Sequence, residues 1–286
     1  MNYQGFYINL ERNPERRSAL EAELSKYQAG SRYQRFPAVD GQACGISSEH
    51  LRPGEVGVFL SHVNLLQQQA ARPGNLHIIE DDVRFSEYTL DLIDMVVDKG
   101  VLNKYDLLFL DVFVPIEFDT IRLYKEIYDL CTMRTPARDR QFKDFQIVDL
   151  ARRNFASAAS YLVNRDAIGK ILETCRRHLD AGPTIPYDLV LRNAVRDGTL
   201  KAGCLFPFVT SVDPDSVAHM DIPDRYADNL SPLVAFLLRY SFFVGCDWPR
   251  CLSLLPADCI LQNEDEHRMV ILSAINFKLF GNYQKF

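Results

Sequence analysis

Short apolar runs alternate with amphipathic stretches from the N-terminus onward, and this alternation restricts the chain to few folds. Residues 5–10 read as a first strand closing at Asn9. Asn13 then predicts a helix cap, with Pro14 at the first helical position and Glu15 near the positive end of the helix dipole. Leu20, Leu24 and Tyr27 recur at helical spacing. Residues 33–39 form a second strand that stops at the turn pair Asp40-Gly41. A helix beginning near Gly54-Glu55 carries Val56, Phe59, Leu60, Val63 and Leu66 on one stripe, with Glu55 and His62 on another face.

Residues 75–79 are a brief strand that runs into Glu80-Asp81-Asp82. A helix over 89–97 and strands at 107–110, 156–163 and 204–209 continue the pattern. Between the last two strands lie a helix over 166–175, with Ile168, Ile171, Leu172 and Cys175 inward, and another starting near Tyr187-Asp188. Strands alternating with helices specify an α/β fold, a mainly parallel sheet with helices on both faces. Residues 111–155 lose the period and read as a partly helical insertion, of a length that usually serves a function. From about residue 230 the chain turns aromatic-rich without strands. We expect one α/β domain over 1–229 and a helical C-terminal extension over 230–286.

The net charge of −6 argues against nucleic acid as a partner, because phosphates favour basic stripes. It leaves room for an anionic ligand neutralised by a bound cation. The N-terminus has no basic segment followed by a long apolar run, which excludes a signal-peptide reading. The longest apolar stretch, 233–244, is interrupted by Arg239 and too short to span a bilayer. Seven cysteines without a CxxC pair read as free thiols of a reducing cytoplasm. Cys246, Cys251, Cys259 and His267 lack the spacing of a zinc site.

The densest chemistry is Ile78-Ile79-Glu80-Asp81-Asp82-Val83. Three adjacent carboxylates at an apolar strand's end repel one another, and a hard cation relieves that repulsion. Oxygen ligands suit Mn²⁺ or Mg²⁺, which also hold substrate phosphates. Strand alternation would send Glu80 and Asp82 to one side and Asp81 to the other. The bland alternative is a solvated acidic turn.

Four ordered blocks resemble glycosyltransferase family 25. They are Tyr7-Ile8-Asn9-Leu10-Glu11-Arg12 with Arg16-Arg17; Phe36-Pro37-Ala38-Val39-Asp40-Gly41; Gly54-Glu55-Val56-Gly57 with Leu60-Ser61-His62; and Ile79-Glu80-Asp81-Asp82-Val83. The family holds bacterial lipooligosaccharide galactosyltransferases and is related to procollagen galactosyltransferases. The resemblance implies a GT-A-like fold, a nucleoside-diphosphate sugar donor (often UDP-galactose) and a divalent metal.

Carried onto this chain, it makes Asp82 the first metal ligand and Glu80 the second, with Asp81 meeting the donor ribose or sugar. It places Asn9, Arg12 and Arg16 near the nucleotide, and Ala38, Asp40 and Gly41 on the turn approaching the nucleoside. Glu55, Ser61 and His62 match the family's GE-x-G-x-x-x-SH block, His62 touching donor or acceptor. Several have plainer readings: Arg16 as a solvated helix arginine, Asp40 as a turn cap, His62 as a hydrogen-bonded core histidine.

Glycosyl transfer needs a stabilised leaving diphosphate and, for inversion, a base at the acceptor hydroxyl. Asp188 is the candidate base, with a helix cap as its alternative; His219 is a candidate third metal ligand. The implied enzyme takes a nucleotide sugar and a glycan acceptor such as lipooligosaccharide, in the cytoplasm or peripherally at the inner membrane face. The 230–286 extension offers a membrane contact or a homodimer contact. Two other readings compete: a sugar-nucleotide-binding or assembly protein without turnover, and a metal-dependent phosphoester hydrolase or nucleotidyltransferase.

Overall fold

The computed structural model describes residues 3–114, 145–213, 239–240 and 242–247. Its main sheet has seven strands in the order β2-β1-β3-β7-β5-β8-β6. These are β1 (Tyr3–Asn9), β2 (Tyr33–Pro37), β3 (Asn75–Glu80), β5 (Leu107–Phe109), β6 (Gln146–Asp149), β7 (Ser160–Val163) and β8 (Ala202–Phe206). β1 pairs in parallel with β2 and β3, and β5 with β8. β7 runs antiparallel between β3 and β5, and β6 antiparallel along β8. Five strands therefore run one way and two the other. The expected α/β class, a mainly parallel sheet flanked by helices, is the one observed.

Five α-helices are described: α1 (Pro14–Lys26), α2 (Pro53–Gln69), α3 (Thr89–Asp98), α4 (Ile168–Asp180) and α5 (Tyr187–Arg196). Alternation along the strands sorts the core into two layers. Leu107, Phe109, Tyr161 and Val163 join α2, α4 and α5 in one cluster. Leu108, Leu110 and Leu162 join Leu92, Ile93 and Val96 of α3 in the other. Strands covered on both faces carry apolar residues at consecutive positions, as in Leu107-Leu108-Phe109 of β5 and Tyr161-Leu162-Val163 of β7. Glu80, the last residue of β3, emerges where this covering stops.

Several local expectations change. Asn13 precedes α1, and Pro14 opens the helix as expected, but the Asn13 side chain makes no capping bond. Its carbonyl instead accepts a hydrogen bond from Asn9 Nδ2 at 3.1 Å. The strand expected over 156–163 covers only Ser160–Val163, with Ala156 in an isolated bridge to Phe113. The strand expected over 204–209 is Ala202–Phe206. A small second sheet was not legible: β4 (Val83–Phe85) pairs antiparallel with β9 (Thr210–Val212).

The expected insertion contains β6, an edge strand of the main sheet, so its end belongs to the core architecture. Its middle, 115–144, lies outside the described residues, as do His219 and most of the expected 230–286 extension. What is described of that extension packs inward. Phe242 and Phe243 are buried, and Phe208 exchanges backbone hydrogen bonds with Phe242 and Val244. Among the described residues no helix is long and apolar enough to cross a membrane. Cys44, Cys175, Cys204 and Cys246 are free thiols.

Candidate functional site

The ends of β1, β2 and β3 point the same way because the three strands are parallel, so their last side chains meet. Asn9 closes β1 and is buried; its Nδ2 donates to Asp81 Oδ2 at 2.7 Å. Arg35 from β2 donates to Asn9 Oδ1 at 3.1 Å and pairs with Glu11 at 2.7 Å. Arg16, in the first turns of α1, reaches Asp81 at 2.6 Å and Asp82 at 2.9 Å. One guanidinium thus bridges two adjacent carboxylates. That corrects the expected alternation of Asp81 and Asp82. β3 ends at Glu80, the chain turns before β4, and both aspartates come within reach of one cation.

Burial governs the titration of the group. It raises Asp81 above the usual carboxylate range, although Arg16 and Asn9 pull the other way. It pushes Asp82 up to about 7, with Glu80 and Asp81 adding like-charge repulsion against Arg16. Burial also opposes ionisation of Glu80, but facing His62, with Arg16 and Arg239, outweighs it and holds that carboxyl lower.

The turn after β2 is fixed onto α2. Ala38 N donates to Asn9 O at 3.0 Å, and Arg12 forms an ion pair with Asp40. Asp40 Oδ1 also accepts from Gln42 N at 3.0 Å. Ser61 Oγ accepts from Val39 N at 2.8 Å and donates to Gly57 O at 2.6 Å. Glycines are required at this crossing. A Cβ on Gly41 would overlap the Pro53 carbonyl, and one on Gly57 would come within 2.6 Å of Val39 O. Glu55 is buried beneath the turn, its Oε2 accepting from Arg52 N at 2.7 Å as a cap of α2. Asn9, Arg12, Arg16, Ala38, Asp40, Gly41 and Asp81 therefore gather at one edge, supported from below by Glu55 and Ser61.

A second group borders Glu80. His62 is fully buried, stacks on Tyr187 at 4.5 Å, and places Nδ1 2.8 Å from the Tyr161 hydroxyl. Asp188, in the first turn of α5, accepts from Ser157 N at 2.7 Å, which ties it to the loop before β7. Ser157 has a positive φ of 78°, and Ala159 O in the same loop accepts from Glu80 N at 2.8 Å.

Asp111 and Arg239 form a further buried pair that no motif marks. Asp111 follows β5, is wholly buried, and accepts from Arg239 Nε at 2.7 Å. Arg239 also donates to Ser157 Oγ at 2.9 Å. Two signals were present: Leu107-Leu108-Phe109-Leu110 runs into an acid as β3 does, and Arg239 is a lone cation in an apolar run. A buried charge needs a partner.

No three His, Cys, Asp or Glu side chains among the described residues converge on a metal position. A nucleotide-bound cation needs fewer, since Mg²⁺ is usually held by one or two carboxylates plus substrate phosphates. Asp82 Oδ1 is buried without a hydrogen-bond partner among the described residues, and Glu80, two residues earlier, is near enough to repel its charge. That donor set fits Mn²⁺ or Mg²⁺.

The fold and the strand ends define an α/β protein in which β3 runs into a cluster of carboxylates, two of them bridged by Arg16. The family model described as "Glycosyltransferase family 25 (LPS biosynthesis protein)" matches residues 2–191. The chain belongs to glycosyltransferase family 25.

A "Glycosyltransferase 25 family member" of Drosophila melanogaster is 34% identical over 104 residues, 29% of this chain and 16% of that protein. One of Aedes aegypti is 30% identical over 124 residues, 36% of this chain and 20% of that protein. The matched segment thus spans at most a fifth of these relatives. Among solved structures, a galactosyltransferase LgtC in complex with donor and acceptor sugar analogs aligns over 95% of each chain at 11% identity and a TM-score of 0.36. A197 from STIV aligns over 72% of this chain and 85% of its own at 14% identity and the same TM-score. Likenesses this loose decide nothing about the site.

Proposed function

We propose that the protein moves a hexose, galactose or a close relative, from a UDP-linked donor to a hydroxyl of a glycan acceptor such as lipooligosaccharide. The observation that carries this reading is the meeting of Asn9, Arg16, Asp81 and Asp82 at the ends of parallel strands, with one Asp82 oxygen left unpartnered. The carboxyl ends of such strands are where open α/β sheets bind ligands. The family's description as lipopolysaccharide biosynthesis proteins supports a glycan acceptor.

In the reaction the acceptor oxygen bonds to the anomeric carbon as that carbon's bond to the diphosphate breaks. Asp82, with Glu80, would hold Mn²⁺ or Mg²⁺, which would supply positive charge to the departing diphosphate. Arg16 lies on the exposed side of the same carboxylates and can turn its guanidinium to a phosphate. Asn9 orients Asp81 toward the donor through their 2.7 Å hydrogen bond. Asp188, its Oδ2 fixed by Ser157, is the base for the acceptor hydroxyl if the configuration inverts. The turn carrying Asp40 would take the nucleoside.

Thermal shift with a panel of nucleotide sugars, with and without Mn²⁺, tests the donor, because a ligand bound only to the native state raises its stability. A metal-dependent shift with a UDP-hexose, followed by transfer or slow hydrolysis, supports the reading. Binding without any turnover would instead identify a non-catalytic sugar-nucleotide-binding protein. No shift with any activated sugar overturns the proposal.

A further inference from the structure

The geometry points to His62 as a positioning residue that acts through Glu80 rather than as a contact to donor or acceptor. This rests on the reading of Glu80 as part of the donor and metal cluster. His62 has no exposed surface and lies flat against Tyr187, at an interplanar angle of 8°. A side chain so enclosed cannot reach a substrate. Glu80, in contrast, exposes 30% of its side chain.

The His62 imidazole is held from one side only. Nδ1 is 2.8 Å from the Tyr161 hydroxyl, which is itself 3.0 Å from the Tyr187 hydroxyl. Nε2 faces Glu80 Oε1 at 3.6 Å and has no hydrogen-bond partner among the described residues. A buried ring nitrogen left without a partner is costly, so its orientation toward a carboxylate calls for an explanation.

An ionised carboxylate only accepts, so a hydrogen belongs on Nε2, and in the neutral tautomer that carries it there Nδ1 accepts from Tyr161 O–H. The Tyr161 oxygen then accepts from Tyr187 O–H. Burial raises the pKa of both phenols, which keeps both as donors. All the hydrogens therefore run in one direction, from Tyr187 through Tyr161 and His62 to Glu80. The last step is open by roughly half an ångström. Catalytic hydrogen bonds are often long without ligand and tighten when the complex forms. Closing it would fix the Glu80 carboxylate in the orientation the cluster uses.

The test uses the full chain labelled with ¹⁵N-histidine, the His62 signals being assigned by their loss in His62→Gln. The expected result is a hydrogen on Nε2 whose resonance moves in Glu80→Gln. A ring protonated on Nδ1 alone, or an Nε2 signal indifferent to Glu80→Gln, overturns the proposal. A second arm compares two replacements by UDP-galactose turnover in folded protein. Glutamine puts its amide near the Nε2 position and asparagine near the Nδ1 position. His62→Gln should exceed His62→Asn by about tenfold, the scale on which groups supporting a site matter. Equal loss, or a better asparagine variant, assigns His62 to packing alone. If wild-type protein turns over no UDP-galactose, the donor assignment fails while the resonance arm still decides this one.

Discussion

Two strands of the sheet end in acid, and their fates differ. β3 runs Ile78-Ile79-Glu80 into Asp81 and Asp82; β5 runs on through Leu110 into Asp111. Each acidic end has an arginine. Arg16, which bridges Asp81 and Asp82, keeps 42% of its side chain exposed. Arg239, which holds Asp111, keeps 9%, and Asp111 keeps none. A pair whose cation still meets water is worth less than one enclosed on both sides, and such a cation can trade its partner for a ligand. A buried pair costs several kcal/mol to break, because one charge is left stranded. The β3 end therefore keeps its cation within reach of solvent, whereas the β5 end braces the fold by tying Asp111, Ser157 and Arg239 together. What separates a site from a brace here is access to the counter-cation.

The largest effect that could break this comparison is Arg239→Met. It should destabilise the protein by about 3–5 kcal/mol by denaturant unfolding, since Asp111 would remain buried and unpaired. Replacing both, with Asp111→Leu and Arg239→Met, should recover most of that loss. If the single variant unfolds like wild type, the pair is no brace. Asp82→Asn should leave stability nearly intact and lower sugar-transfer turnover on the order of 100-fold. Full turnover would remove the β3 end from the site.

A buried base extends the comparison. His77 sits between Tyr33 and Ser160, at 2.6 and 3.1 Å, and burial lowers its pKa to about 3. Its unfolded value is about 6.5, so between those values the unfolded chain binds the extra proton. The neutral ring costs nothing above pH ~6.5, and stability falls as pH drops below that, by up to about 1.4 kcal/mol per pH unit. His77→Gln should therefore be less stable than wild type at pH 7, with the gap narrowing by pH 4 in thermal melts. A constant gap would contradict the assignment. The smallest effect belongs to Arg16→Ala, under about 1 kcal/mol of stability. Its sharper signature is weaker binding of UDP by calorimetry, and unchanged binding would leave Arg16 a surface arginine.

Much of this was legible in the order of residues. Helical spacing located α1, α2, α3 and α4, and Pro14 marked the start of α1. The acidic run at 80–82 and the block containing Asn9 pointed to the same edge of the sheet, because both follow apolar strands of one parallel set. The three-residue strands β4 and β9 escaped because each is too short to show a period and exists only through pairing across more than a hundred residues. β6 escaped because Gln146-Ile147-Val148-Asp149 offers just two apolar residues amid charge.

The sequence alone therefore determined the layered α/β class, the family blocks and the position of the carboxylates, since each depends on neighbours a few residues apart. Only the tertiary structure decided which carboxylate stays open. Arg16 and Arg239 read alike as cations in a chain, and the difference between them is how much water each can still reach. That depends on what folds over them, which for Arg239 means an aspartate 128 positions away.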